Sequence, residues 1–283
     1  MAGIPTTPFM QASLQEVARK TANAREPGAH ALERVVPPGG IAWNEYASPD
    51  VNRSREFLCG LFGWTARRKE FGHEGAYETF VFNGRDVAGL LSVSDLEGGS
   101  GRAGWYPVFR VQHVDAMAAK ACELGATLVC QPSGIAGLGR HAMLAGPSQG
   151  RMALLDGLDG RVPLGVGCVT WNELRVSRPS ATGLFLWQTF GWNSESYLDE
   201  RDGMVVTFLV GDERVASLRK SRGDESSRCL PCVQVGDVTS TLRRARELGG
   251  VLAEERVDDP VLGHYARIVD PLGIDLMVWR ASS

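Results

Sequence analysis

The sequence has no long hydrophobic run: nothing in its 283 residues approaches the roughly 18–20 apolar residues that a membrane-spanning helix needs. It also lacks an excess of either charge. A net charge of -3 leaves no basic footprint for nucleic acid and no patch for an anionic membrane. The first thirty residues mix Pro5, Pro8, Gln11, Glu16, Lys20 and Arg25 and hold no apolar stretch of signal-peptide type, so a cytoplasmic location is expected. Lysine is scarce, with only Lys20, Lys69, Lys120 and Lys220 among thirty basic residues, a composition that fits a GC-rich genome. The six cysteines are spread along the chain without a secretory context, and read as reduced thiols packed as small hydrophobes. Cys229-Leu230-Pro231-Cys232 has CxxC spacing, but no second pair completes a zinc site and a strand, not a helix N-terminus, follows it.

What the chain does have is an internal repeat. Trp43-Asn44-Glu45-Tyr46 returns as Trp171-Asn172-Glu173-Leu174, and Phe62-Gly63-Trp64 returns as Phe190-Gly191-Trp192, both offset by 128 residues. Val111-Gln112-His113-Val114-Asp115 matches Val233-Gln234-Val235-Gly236-Asp237, Glu123-Leu124-Gly125 matches Glu247-Leu248-Gly249, and Pro147 matches Pro271. Five blocks in the same order define two modules. The expected division is an N-terminal extension (1–38), module one (39–158), a Gly- and Pro-containing linker (159–166) and module two (167–281). Within the extension, residues 14–24 fit a short polar helix.

Each module reads as a strand–helix–strand–strand–strand unit used twice. In the first unit a strand over 41–47 precedes Pro49-Asp50, an expected helix cap. Val51, Phe57, Leu58, Leu61 and Phe62 then recur at helical spacing until Gly63. Asn83-Gly84 marks a hairpin between two strands. In the second unit Asp115 is the expected cap of a helix that buries Ala118, Ala121 and Cys122. This order predicts an α+β fold of curved, mostly antiparallel sheets. Whether units pair within or across modules is left open.

The Trp-Asn-Glu and Phe-Gly-Trp blocks, with the closing turn Asp270-Pro271-Leu272-Gly273 and a last strand over 274–279, resemble the vicinal oxygen chelate superfamily of glyoxalases, dioxygenases and bleomycin-resistance proteins. The resemblance covers all but the extension. It implies two tandem modules, each of two βαβββ units curled around a cavity. In the family's enzymes a metal sits in that cavity. The matching positions here are Trp43, Val108 and Leu154 in module one, and Trp171, Leu230 and Met277 in module two. Indole and aliphatic side chains have no lone pair to offer a divalent ion, and methionine is a soft, weak ligand. No metal and no cofactor are therefore expected. Tandem, metal-poor relatives occur in actinomycete secondary metabolism, which implies an antibiotic or polyketide ligand, anthracyclines included. The implied role is self-resistance or assistance to a biosynthetic oxygenase.

Strand alternation puts Glu45 on the same face as Trp43, and Glu173 on that of Trp171. An indole beside a carboxylate suits an aromatic ligand carrying hydroxyl groups; equally, the Trp fills a core and the Glu pairs with an Arg. Trp105, His141, Met143, Tyr265, Met277 and Trp279 complete the candidate ligand-binding set, and core packing is the alternative for each. His264 beside Tyr265 could supply a proton-transfer group, or be a loop-edge histidine. The expected partner is a small aromatic or apolar molecule bound without metal. The alternative is an enzyme acting on a similar molecule, either metal-dependent or using His, Tyr and Glu as acids and bases.

Overall fold

Alternating strands and short capped helices build each module into one eight-stranded sheet. The computed structural model describes residues 32–70, 76–96, 101–135, 139–199, 203–211, 213–223, 225–259 and 263–280. The expected helix over 14–24 lies outside them.

A short strand, β1 (Glu33–Val35), precedes module one. That module runs β2 (Ile41–Ser48), α1 (Val51–Phe62), β3 (Thr65–Glu70), β4 (Ala76–Phe82), β5 (Arg85–Ser92), β6 (Gly104–Arg110), α2 (Val114–Glu123), β7 (Thr127–Ile135), β8 (Gly139–Ala145) and β9 (Arg151–Leu155). After β10 (Arg161–Pro163), module two repeats the order with β11 (Val169–Val176), α3 (Pro179–Phe190), β12 (Asn193–Asp199), β13 (Gly203–Val210) and β14 (Glu213–Lys220). It continues with β15 (Arg228–Gln234), α4 (Val238–Glu247), β16 (Val251–Asp259), β17 (Gly263–Val269) and β18 (Asp275–Arg280). No helix among the described residues is long and apolar enough to cross a membrane.

Local chemistry explains the punctuation. Asp50 caps α1 by accepting the Arg53 amide at 3.1 Å, and Gly63 ends the helix at φ 69°. Asn83 and Gly84 both take positive φ, as a tight hairpin turn of this hand requires. Two expectations are corrected. Helix α2 starts one residue before Asp115, which lies in its first turn and pairs with Arg140 at 2.6 Å instead of capping. Cys122 on α2 is exposed, because Val114, Ala118 and Ala121 already fill the buried stripe.

The sheets settle how the units pair. Their orders are β3-β4-β5-β2-β6-β9-β8-β7 and β12-β13-β14-β11-β15-β18-β17-β16, so the two units of each module share a sheet. The helices do the reverse. Phe57, Leu58 and Phe62 of α1 share a core with Val238, Leu242 and Ala245 of α4. Ala118 and Ala121 of α2 share the other core with Phe185, Leu186 and Phe190 of α3. Concave faces are thus private to each module, while both helical layers are joint property.

The repeated Phe-Gly-Trp block fastens this arrangement reciprocally. Trp64 Nε1 donates to the Gly167 carbonyl at 2.7 Å, just before β11, and Trp192 Nε1 donates to the Gly39 carbonyl at 2.6 Å, just before β2. Each indole therefore satisfies the carbonyl that leads into the other module's first strand. Trp192 also stacks on Phe109 with ring centroids 5.4 Å apart. Tyr46 donates to Asp270 Oδ2, whose Oδ1 accepts the amides of Leu272 and Ile274 and shapes the closing turn. Truncating Trp192 to alanine is expected to cost about 3–5 kcal/mol, since it opens a cavity between modules and orphans a carbonyl. A urea midpoint that moves by less than about 1 kcal/mol would show that the joint core tolerates the gap.

Candidate active site

The concave face of module one is open. In module one, β2 aligns Trp43 with Val108 and Glu45 with Tyr106 across β6, and β6 aligns Val108 with Ala153 on β9. These side chains face a cavity of about 900 Å³, at the upper end of ordinary small-molecule sites. Met143, Leu154, Val108 and Tyr106 make apolar walls, and His141 stands on the β8 side. Its Nδ1 lies 3.2 Å from the Ser133 carbonyl, an acceptor only, so in the neutral ring Nδ1 carries the proton and Nε2 is the acceptor.

The floor carries the chemistry. Tyr77, on β4, donates to Glu45 Oε1 at 2.6 Å, and Trp43 Nε1 lies 2.9 Å from both that oxygen and the Tyr77 hydroxyl. Glu45 Oε2 is buried and has no hydrogen-bond partner among the described residues. Glu45 as a whole is half-buried, because its side chain faces the cavity. Burial raises its pKa from 4.5 to about 7, against the lowering effect of the bonds from Tyr77 and Trp43. Burial also lifts the Tyr77 phenol well above its usual range, helped by the adjacent Glu45 charge.

Gly89 makes this arrangement possible. It pairs with Glu45 in the parallel β2·β5 ladder, and a Cβ there would lie 1.8 Å from Glu45 Oε2 and 2.1 Å from the Tyr77 hydroxyl. The carboxyl and phenol occupy the space that any other residue would fill. Around the mouth, Glu33 pairs with Arg85 at 2.9 Å and Arg161 at 3.4 Å, and Lys69 pairs with Asp86 at 2.8 Å. Strand β1 pairs with β10, so extension and linker together form part of the rim. Nothing in the repeat signalled that contribution.

Module two has diverged at the same register. Ser217 replaces Gly89 opposite Glu173, and its hydroxyl accepts from Trp171 Nε1 at 3.0 Å. Glu173 is 1% exposed and lies between Arg175 Nε at 2.7 Å and Arg219 Nε at 2.8 Å. Arg175 also reaches Glu254 at 3.1 Å. Trp171, Leu230, Cys232, Tyr265, Met277 and Trp279 pack into one buried cluster on this face. Trp171, Glu173, Tyr265, Met277 and Trp279 are therefore core and ion-pair residues, correcting their expected place at a ligand. Large side chains stand here where module one has Trp43, Val108 and Leu154 around its cavity. Trp279 Nε1 is satisfied by Thr170 Oγ1 at 2.9 Å, and His264 pairs with Glu255 at 2.9 Å. Trp105 is a further correction: it faces the helical core and meets Tyr46 edge to face at 4.8 Å.

Of the expected set, the cavity brings together Trp43, Glu45, His141 and Met143. Tyr77, Gly89 and Tyr106 are additions that sequence reasoning missed. The two halves of the β4–β5 hairpin were visible, but its register against β2 was not.

The family's usual divalent ion does not fit this floor. The three matching positions are Trp43, Val108 and Leu154, and the Trp43 indole N–H is itself a donor to Glu45. No group of three or more His, Cys, Asp or Glu side chains among the described residues could hold a metal.

Comparison with known proteins agrees with this fold and ancestry. The chain is 31% identical over 258 residues to the anthracycline biosynthesis protein DauV of Streptomyces sp. strain C5, covering 85% of this chain and 93% of that protein. Among solved structures, the Mn(II)-bound glyoxalase of Novosphingobium aromaticivorans superposes with a TM-score of 0.59 at 12% identity, over 88% of this chain and 83% of that one. The chain belongs to the vicinal oxygen chelate superfamily. A homoprotocatechuate 2,3-dioxygenase variant from Brevibacterium fuscum shares the fold with a TM-score of 0.61 at 14% identity, over 90% of this chain and 74% of that one. No family model matches the sequence. Within the superfamily, this chain keeps two modules and has one open, donor-poor cavity among its described residues.

Proposed function

We propose that the protein is a cytoplasmic, metal-independent binder of a planar, partly hydroxylated aromatic natural product of the anthracycline type. It would hold that molecule in the module-one cavity during antibiotic biosynthesis or self-resistance. The observation that carries this reading is the open apolar cavity over the Trp43–Tyr77–Glu45 floor. Its volume of about 900 Å³ accepts a fused-ring molecule. Burying such rings against Tyr106, Met143 and Leu154 gains about 25 cal/mol per Å² of apolar area, and Glu45 orients a ligand hydroxyl through a charge-assisted bond. The name of the Streptomyces relative supports this ligand class. A biosynthetic oxygenase is the natural partner, giving or receiving the same ligand.

The test is a titration of intrinsic tryptophan fluorescence with quinizarin, a planar dihydroxyanthraquinone. Wild type is expected to show saturable quenching, and Gly89→Ala to bind at least tenfold more weakly, because the new methyl group displaces the Glu45 carboxyl. Absence of saturable quenching in wild type, or equal affinity in the glycine variant, would overturn the assignment of this cavity.

A further inference from the structure

We propose that module one is a metal-free proton-transfer site, in which Glu45 takes a proton from a carbon acid of the bound ligand and so catalyses enolisation of a planar aryl ketone. This rests on the cavity being the ligand site and goes beyond it, from holding a ligand to changing it.

The geometry is that of a poised base. Trp43 and Tyr77 both engage Oε1 and fix the carboxyl plane, while Oε2 keeps its lone pairs unused. A general base works best when its pKa lies near the working pH, and burial has moved Glu45 there, to about 7. The groups that face it are neutral: Trp43 on β2, Tyr77 and Thr79 on β4, Gly89 on β5 and Tyr106 on β6. Ionisable groups on the same cavity are Lys69 on β3, Arg85 and Asp86 on β5, Cys130 on β7 and His141 on β8, with Glu33, Asp95, Asp159 and Arg161 at the rim. Lys69 is paired with Asp86, and Arg85 with Glu33, so these cations have carboxylates of their own. Module two provides an internal contrast. Glu173 has both oxygens occupied by guanidinium groups, and Trp171, Met277 and Trp279 form a buried cluster on the same face. The same strand position has become structural in one module and stays chemically free in the other.

The step balances without a co-reactant. Glu45 Oε2 accepts the proton, the C–H electron pair becomes the carbon–carbon double bond of the enolate, and the carbonyl oxygen takes the negative charge. Delivery of a proton to that oxygen gives the enol and restores the carboxylate. The sum is an isomerisation, so the ligand class is a fused-ring ketone with an acidic methylene.

Anthrone, a planar tricyclic ketone, tests this. Its methylene exchange is followed by proton NMR in deuterated buffer under nitrogen, while quinizarin binding is measured separately. Wild type is expected to exchange anthrone at least tenfold faster than buffer alone, with the rate rising as pH passes through about 7. Glu45→Gln should lose the acceleration even at saturating anthrone, a loss that weaker binding alone does not produce. Tyr77→Phe removes a bond that lowers the Glu45 pKa, so its rate profile should move to higher pH. Exchange no faster than buffer, or equally fast in Glu45→Gln, while the wild type binds quinizarin, would overturn the catalytic proposal and leave the binding reading standing. Loss of quinizarin binding in wild type would remove both.

Discussion

Glu173→Gln is expected to destabilise the protein by about 3–5 kcal/mol, the usual cost of removing one partner from a buried ion pair. Glu173, Arg175 and Arg219 are 1%, 2% and 3% exposed, so no water can replace the lost charge. Arg175 would keep Glu254, but the Arg219–Glu173 bond at 2.8 Å would lose its charge assistance. Urea unfolding measures the loss directly. A change below about 1 kcal/mol would mean that the network relaxes around glutamine and is not a structural tie.

Glu45→Gln is expected to do the opposite above neutral pH. The folded-state pKa is raised from 4.5 to about 7. The stability that this group contributes is thus complete below about 4.5, falls as pH rises, and is gone above about 7. At pH 8 the wild type must hold a buried carboxylate, and glutamine relieves it of roughly 3 kcal/mol, at 1.36 kcal/mol per pKa unit. At pH 4 the two proteins should unfold at nearly the same urea concentration. A difference that does not grow between those two pH values would show that Glu45 ionises as freely in the fold as in water. Two glutamates at equivalent strand positions therefore give opposite signs on the same substitution.

That opposition explains which parts of the molecule were legible from sequence. The tandem fold was, because Trp43 to Glu45 and Phe62 to Trp64 recur at one offset, and strand alternation placed Trp43 beside Glu45 on one face. His141 and Met143 were candidates by residue type, and their shared place on the cavity appears only with β8 in the sheet. The fate of Glu173 was not legible. It depends on Arg175, Arg219 and Ser217, which stand where module one has Ala47, Leu91 and Gly89, and their effect appears only once β11 and β14 are in register. Gly89 looks like a weak strand residue until the carboxyl that fills its missing side chain is seen. Tyr77 was hidden for a similar reason, since it meets Glu45 across 32 residues of chain. Trp105 misled because an aromatic on a central strand faces either layer, and its partner Tyr46 lies on the helical one.

The joint cores also set a timetable for synthesis. Phe57 and Leu58 must wait for Val238 and Leu242, about 180 residues later, before their apolar face is covered. At about 5–20 residues per second, that is roughly 10–40 s during which the first helix and sheet leave the ribosome without their partner. The second and third units are adjacent in the chain and can close their core first. The order of synthesis thus allows the middle units to close first, and the helical face behind the cavity-bearing sheet gains its full cover only when the last unit is made.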